Sequence, residues 1–230
     1  MIRGLAPVAF VLAAGCSNLN EVEGGVVAIE VTAPSPSTIE VHETLQLSAR
    51  ALNKDGDSIA ANIVWSAGDT TLTVDPSTGV LTGVTPGNGR VQASVGSLRS
   101  GVLTFSVIAP ADTIILSADS VLTVAADAAV SAPLVVTVRS FSPDDPVDAR
   151  PVIYTVTVPD PATTSPTVAF PNGLSEDTAA TATDGTVTSV TLGRIANIAA
   201  PDTAIVTVRA TRTRGSVVPG SGQRFIVLFQ

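Results

Sequence analysis

The stretch Leu45-Gln46-Leu47-Ser48-Ala49-Arg50-Ala51 places an apolar side chain at every second position. Successive side chains of an extended chain point to opposite faces, so this alternation describes a strand with one face in a core and the other in water. Wound into a helix, the same four apolar residues would fall on two opposite sides and form no single buried stripe.

The same period recurs on both sides of this stretch. Ile63 and Trp65 bracket Val64, Leu72 and Val74 bracket Thr73, and Val91, Ala93 and Val95 alternate with Gln92 and Ser94. Leu103, Phe105 and Val107 alternate with Thr104 and Ser106. Asn53-Lys54-Asp55-Gly56-Asp57, Asp75-Pro76-Ser77-Thr78-Gly79 and Pro86-Gly87-Asn88-Gly89 intervene and read as turns, because glycine accepts positive φ and Asn or Asp caps its own backbone. Short strands at this spacing predict a β-sandwich. Ala109-Pro110-Ala111-Asp112 reads as a short, stiff boundary, after which the period resumes. Leu134, Val136 and Val138 form one set, Val152, Tyr154, Val156 and Val158 a second, and Ala204, Val206, Val208 and Ala210 a third; the last strand runs from Phe225 to Phe229. Ser142 to Asp148 and Pro159 to Pro166 read as long loops. The expectation is an all-β chain of two tandem immunoglobulin-like β-sandwich domains, over residues 26–109 and 112–230.

Glu43-Thr44-Leu45-Gln46-Leu47, Val64-Trp65-Ser66, Thr73-Val74-Asp75, Gly79-Val80-Leu81-Thr82 and Gly89-Arg90-Val91-Gln92-Ala93, in that succession, resemble the bacterial immunoglobulin-like group 2 repeat. Thr183-Asp184-Gly185-Thr186-Val187-Thr188 followed by Ala204 to Ala210 resembles the group 1, invasin-type, domain. These resemblances imply extracytoplasmic sandwich modules of the kind found in adhesins and surface-layer proteins, with no catalytic residues to carry over.

The amino terminus reads as an export signal. One positive charge, Arg3, precedes the apolar run Leu5 to Ala14, too short for a permanent membrane helix. It ends Leu12-Ala13-Ala14-Gly15-Cys16, which resembles the bacterial lipobox. The resemblance implies cleavage after residue 15, acylation of Cys16 and a membrane anchor, since two or more acyl chains hold stably where one does not. Ser17, being non-acidic, implies the outer membrane by the same resemblance, and residues 16–25 then form the lipidated cysteine and a polar tether.

Composition excludes several classes. Twenty acidic residues face twelve basic ones, and loss of Arg3 leaves eleven, for a net charge of −9. Such a surface repels phosphate, so no nucleic-acid partner is expected. Cys16 is the sole cysteine, so no disulfide can form within the chain. The positive mean hydropathy of +0.43 comes from Val-rich strands and the signal segment, because no apolar run reaches the length of a spanning helix.

Catalytic constellations are missing. His42 is the only histidine, no nucleophile elbow or Walker loop appears, and one His with one acylated Cys cannot build a zinc site. Asn53 to Asp57 superficially resembles a calcium loop, but Ser58 and Val64 stand where that motif needs Gly and a bidentate Glu. Asp144, Asp145 and Asp148 read as a solvated acidic loop. Trp65 reads as a core residue between sheets. No enzyme activity, cofactor or metal is expected. The function expected is an envelope lipoprotein presenting its modules for adhesion to a protein or polysaccharide at the cell surface; the alternative is a scaffold or docking subunit of an envelope complex. Phe225-Ile226-Val227-Leu228-Phe229 is apolar on both faces, so Ile226 and Leu228 are the candidate protein interface, rimmed by Arg224 and Gln230.

Overall fold

In a computed structural model of the 230-residue chain, residues 25–116, 119–141, 144–159, 167–195 and 203–230 are described. Those residues are all-β. Two hydrophobic cores form, one drawn from residues between Val26 and Val107, the other from residues between Ala111 and Phe229.

The first core lies between two layers. In one layer Ala28–Thr32 pairs antiparallel with Ser48–Leu52, while Thr44–Gln46 pairs with Val80–Gly83, which pairs with Leu72–Val74. In the other, Val64–Ala67 and Leu103–Ile108 flank the nine-residue strand Gly87–Val95, and Thr38–Glu40 runs parallel to Leu103–Ile108. The stretch expected as one strand, Leu45 to Ala51, is interrupted at Leu47, whose amide donates to Gly79 O at 3.0 Å, so its halves serve different partners. The alternation holds across the break: Leu45, Leu47 and Ala51 are buried and Gln46, Ser48 and Arg50 are not.

The structure corrects one turn. Gly87, Asn88 and Gly89 belong to the strand Gly87–Val95 and pair with Val107, Ser106 and Phe105. The glycine signal has a different cause here. A Cβ on Gly89 would overlap the Leu72 side chain, so glycine lets a core leucine press against the strand backbone.

The second core repeats the plan. Thr113–Leu116 pairs antiparallel with Val136–Arg139, which pairs with Thr186–Val187. The facing sheet runs Val121–Val124, Arg224–Phe229, Thr203–Ala210, Pro151–Thr157, Glu176–Ala180, with Val121–Val124 parallel to its neighbour. In both halves an early strand is split, its first part pairing antiparallel in one sheet and its second joining the last strand in parallel. That arrangement is an immunoglobulin-like sandwich without a disulfide. The Tyr154 hydroxyl, fully buried, donates to Leu134 O at 3.2 Å and meets the edge of Phe170 at 6.5 Å. Burial first, and the negative charge of Asp177 second, push its phenol well above the ordinary range.

Strand directions order the ends of the molecule. Ser48–Leu52 runs away from Glu40, so its antiparallel partner Ala28–Thr32 begins at the opposite end of the first sandwich. Val26 and Val27 therefore lie at the end remote from the second sandwich. In the second sandwich, Arg224–Phe229 follows the loop over 211–217 and runs away from the junction.

Candidate functional site

Sandwich modules are joined end to end, and the default expectation for such a joint is relative motion. Here the joint is built around a carboxylate. Glu40 ends the strand Thr38–Glu40, and its side chain is 1% exposed. Its Oε2 accepts the Ala111 amide at 3.2 Å, and its Oε1 accepts the Thr213 amide at 2.8 Å and the Thr213 hydroxyl at 3.0 Å. Arg150, 6% exposed, places Nη2 at 2.8 Å from the same Oε1, at an angle too bent for a directed hydrogen bond. Nη1 of Arg150 donates to Thr211 O at 3.4 Å and Thr213 Oγ1 at 3.3 Å, while its Nε has no acceptor among the described residues.

The hairpin over 211–217 carries the rest. Arg212 donates to Ala111 O at 3.0 Å and to Asp112 Oδ1 at 2.8 Å. Arg214 Nη2 donates to the carbonyls of Pro36 and Thr38 at 3.1 and 3.0 Å, and its Nε stands 3.5 Å from Glu43 Oε1. Glu43 in turn accepts the Glu40 amide at 2.8 Å. Three arginines of the second sandwich thus meet Glu40, Glu43 and Asp112, and the joint closes electrically neutral. The linker belongs to the packing: Ala111 is fully buried, and the Asp112 amide donates to Arg139 O at 3.0 Å.

None of these residues stands out by motif. The signal available in the sequence was Arg212-Thr213-Arg214, two of twelve basic residues flanking one position in an acidic chain. Its acidic partners, a hundred or more positions away, carry no local mark.

The residues singled out from sequence fall elsewhere. Cys16 lies outside the described residues, as do residues 160–166 of the second long loop. The first long loop is partly internal: Val147 joins the core and Thr181 Oγ1 donates to its carbonyl. His42 is exposed with φ 66°. Asn53 Oδ1 accepts the amides of Asp55 and Asp57, a turn cap. Asp75 Oδ1 accepts Ser77 N, Ser77 Oγ and Thr78 N, and these hydrogen bonds hold its carboxyl down at about 2. Trp65 is 5% exposed in the first core. Ile226 is 40% exposed and Leu228 half-buried, while Phe225, Val227 and Phe229 face the core. Ile226 lies beside Val121 and Ile205 across the sheet, so these four residues form one apolar corner. No group of acidic, His or Cys side chains able to hold a metal forms among the described residues.

No family model matches the sequence, and no curated protein does. Solved structures similar to this chain include an adhesin, an S-layer protein and fibronectin(III)-like modules. The Yersinia pseudotuberculosis adhesin InvE is 16% identical with a TM-score of 0.43, over 91% of this chain and 61% of its own. Domains 4 and 5 of the S-layer protein SbsC are 18% identical with a TM-score of 0.33, over 90% and 99%. The fibronectin(III)-like modules of Clostridium thermocellum CbhA are 17% identical with a TM-score of 0.39, over 87% and 94%. This chain thus spans about three-fifths of the adhesin structure.

Proposed function

We propose that the chain is a non-enzymatic envelope lipoprotein: a stiff two-domain presenter, anchored through Cys16, with residues 16–25 as tether and the second sandwich held outward for adhesion to a partner protein. The observation that carries this reading is the Glu40 joint. A buried ion pair adds little net stability, since desolvation offsets the attraction, but it penalises every arrangement that leaves either charge unpaired. A chain selected only to connect two modules has no need of it; a chain that must aim its outer module does. The strand directions add support, because Ala28–Thr32 begins at the end opposite the second sandwich.

The contact surface proposed is the apolar corner of Ile226 and Leu228 with Val121 and Ile205, on the outer module. Arg224, on the same face, has no carboxylate partner among the described residues and supplies a charged rim. An aliphatic corner with no exposed aromatic favours a protein over a polysaccharide, because sugars pack on aromatic rings. A docking role within an envelope complex would use the same corner.

Two measurements test the proposal. Cells fed a labelled fatty acid label the wild type and not Cys16→Ser; label retained by the variant removes the anchor. Changing Ile226 and Leu228 together to Thr leaves the melting transition in place and abolishes crosslinking to envelope proteins. A double variant that unfolds the second sandwich assigns those side chains to the core instead.

A further inference from the structure

The face of the first sandwich that points away from its core carries a groove of about 360 Å³, lined by Ser66, Gly68, Arg90, Gln92, Arg99 and Val102 among others. No carboxylate lines it, in a chain where acidic residues outnumber basic ones by twenty to twelve.

A β-bulge builds it. Arg99 pairs with Ser94 and Leu103 with Val91, leaving three residues on one strand opposite two on the other. Ser100 absorbs the extra residue: its amide donates to Ala93 O at 2.9 Å, and its hydroxyl accepts the Ala93 amide at 3.0 Å. Residues three apart on a regular strand face opposite sides. The inserted residue brings Arg99 and Val102 onto the same groove, the re-aiming that bulges perform. Gln92 fixes the arrangement, donating from Nε2 to Ser100 O at 2.7 Å and accepting Arg99 Nη1 at 3.5 Å.

The two arginines differ in what they have left to give. Arg90 is committed to Asp69, Nε to Oδ2 at 3.0 Å and Nη2 to Oδ1 at 3.1 Å. Arg99 forms no ion pair among the described residues; its bond to Gln92 is neutral and long. Val102, 56% exposed, stands beside it as an apolar wall. A guanidinium outside any ion pair among the described residues matches one carboxylate in a forked pair. No aromatic ring lines the groove on which a sugar would stack, since Trp65 is buried on the other side of its strand. The volume suits a few side chains. We propose that this groove binds an acidic peptide segment of a partner protein, with one Glu or Asp carboxylate on Arg99 and an aliphatic side chain against Val102.

The probe is a fluorescein-labelled hexapeptide of alternating Glu and Val, followed by anisotropy against the whole mature chain. Saturable binding is expected below about 1 mM. Arg99→Gln weakens it about tenfold, as loss of a charge-assisted pair requires. Val102→Asp, which puts a carboxylate in the groove, abolishes it. Arg50→Gln, on the other sheet of the same sandwich, changes nothing. A Gln-Val peptide binds no better to the wild type than the Glu-Val peptide does to Arg99→Gln. The proposal is overturned if the Glu-Val peptide fails to saturate, if Arg99→Gln and Val102→Asp both bind like the wild type, or if trigalacturonate binds and the peptide does not.

Discussion

Glu40 and Arg150, from different sandwiches, stand 2.8 Å apart with side chains 1% and 6% exposed. Each would be costly to bury alone, and each is the other's charge partner. Glu40 also accepts three hydrogen bonds, so its lone pairs are well used, whereas Arg150 keeps an Nε without an acceptor among the described residues. The carboxylate is the organising group and the guanidinium the adapted one.

Removing that carboxylate is therefore the harsher change. Glu40→Ala strands Arg150 and frees the Thr213 and Ala111 amides, and the expected loss is about 3–5 kcal/mol in chemical denaturation. Glu40→Met with Arg150→Met restores much of the stability while releasing the fixed angle between sandwiches. A double variant as unstable as Glu40→Ala alone would mean that packing, and not charge, dominates the joint.

Trp65 reports on the first core alone, as the single tryptophan of the chain. Its emission is expected to be blue-shifted and poorly quenched by iodide, and Trp65→Ala to cost about 3–5 kcal/mol. Gly79 packs against its ring: with φ +72° and a Cβ that would lie 2.7 Å from Trp65 Nε1, Gly79→Ala should lower the same transition. Red, fully quenched emission would contradict the core assignment.

The turn at Asp75 ties stability to acid. Its carboxyl titrates at about 2 in the folded chain against an ordinary 3.8. A depressed folded value contributes stability that is complete above the unfolded value and is lost as pH falls from about 3.8 towards 2. Carbon NMR titration of the carboxyl should place its midpoint near that value. Asp75→Asn should flatten the acid limb of the stability curve over the same interval; an unchanged limb would remove Asp75 from it.

Divalent ions should leave the fold alone. Asn53 Oδ1 is used as a backbone cap, and Asp144 pairs with Arg139 at 2.8 Å. The melting temperature is expected to be the same in calcium and in chelator; a sharp fall in chelator would show a bound ion that stabilises the native state.

The sandwich was legible because burial follows period two. Ala204, Val206, Val208 and Ala210, all fully buried, are the residues that the alternation selects. Three features misled or stayed silent. Gly87 and Gly89 carry a turn composition, yet one of them is there because Leu72 needs the space. The joint between Glu40 and Arg150 was invisible for another reason: an ion pair is defined by three-dimensional proximity, and neither residue's neighbours in sequence distinguish it from a solvated charge. The bulge at Ser100 was hidden likewise, since one extra residue in a strand leaves only a shift in phase between Arg99 and Val102.

The two sandwiches should keep one relative orientation in solution. Spin labels at Lys54→Cys and Leu174→Cys, in a Cys16→Ser background, place one probe on an exposed turn of each sandwich. Electron–electron double resonance between them should give a single narrow distance distribution for the otherwise native chain, broadening when Glu40→Gln is added. A distribution already broad with Glu40 in place would contradict the account.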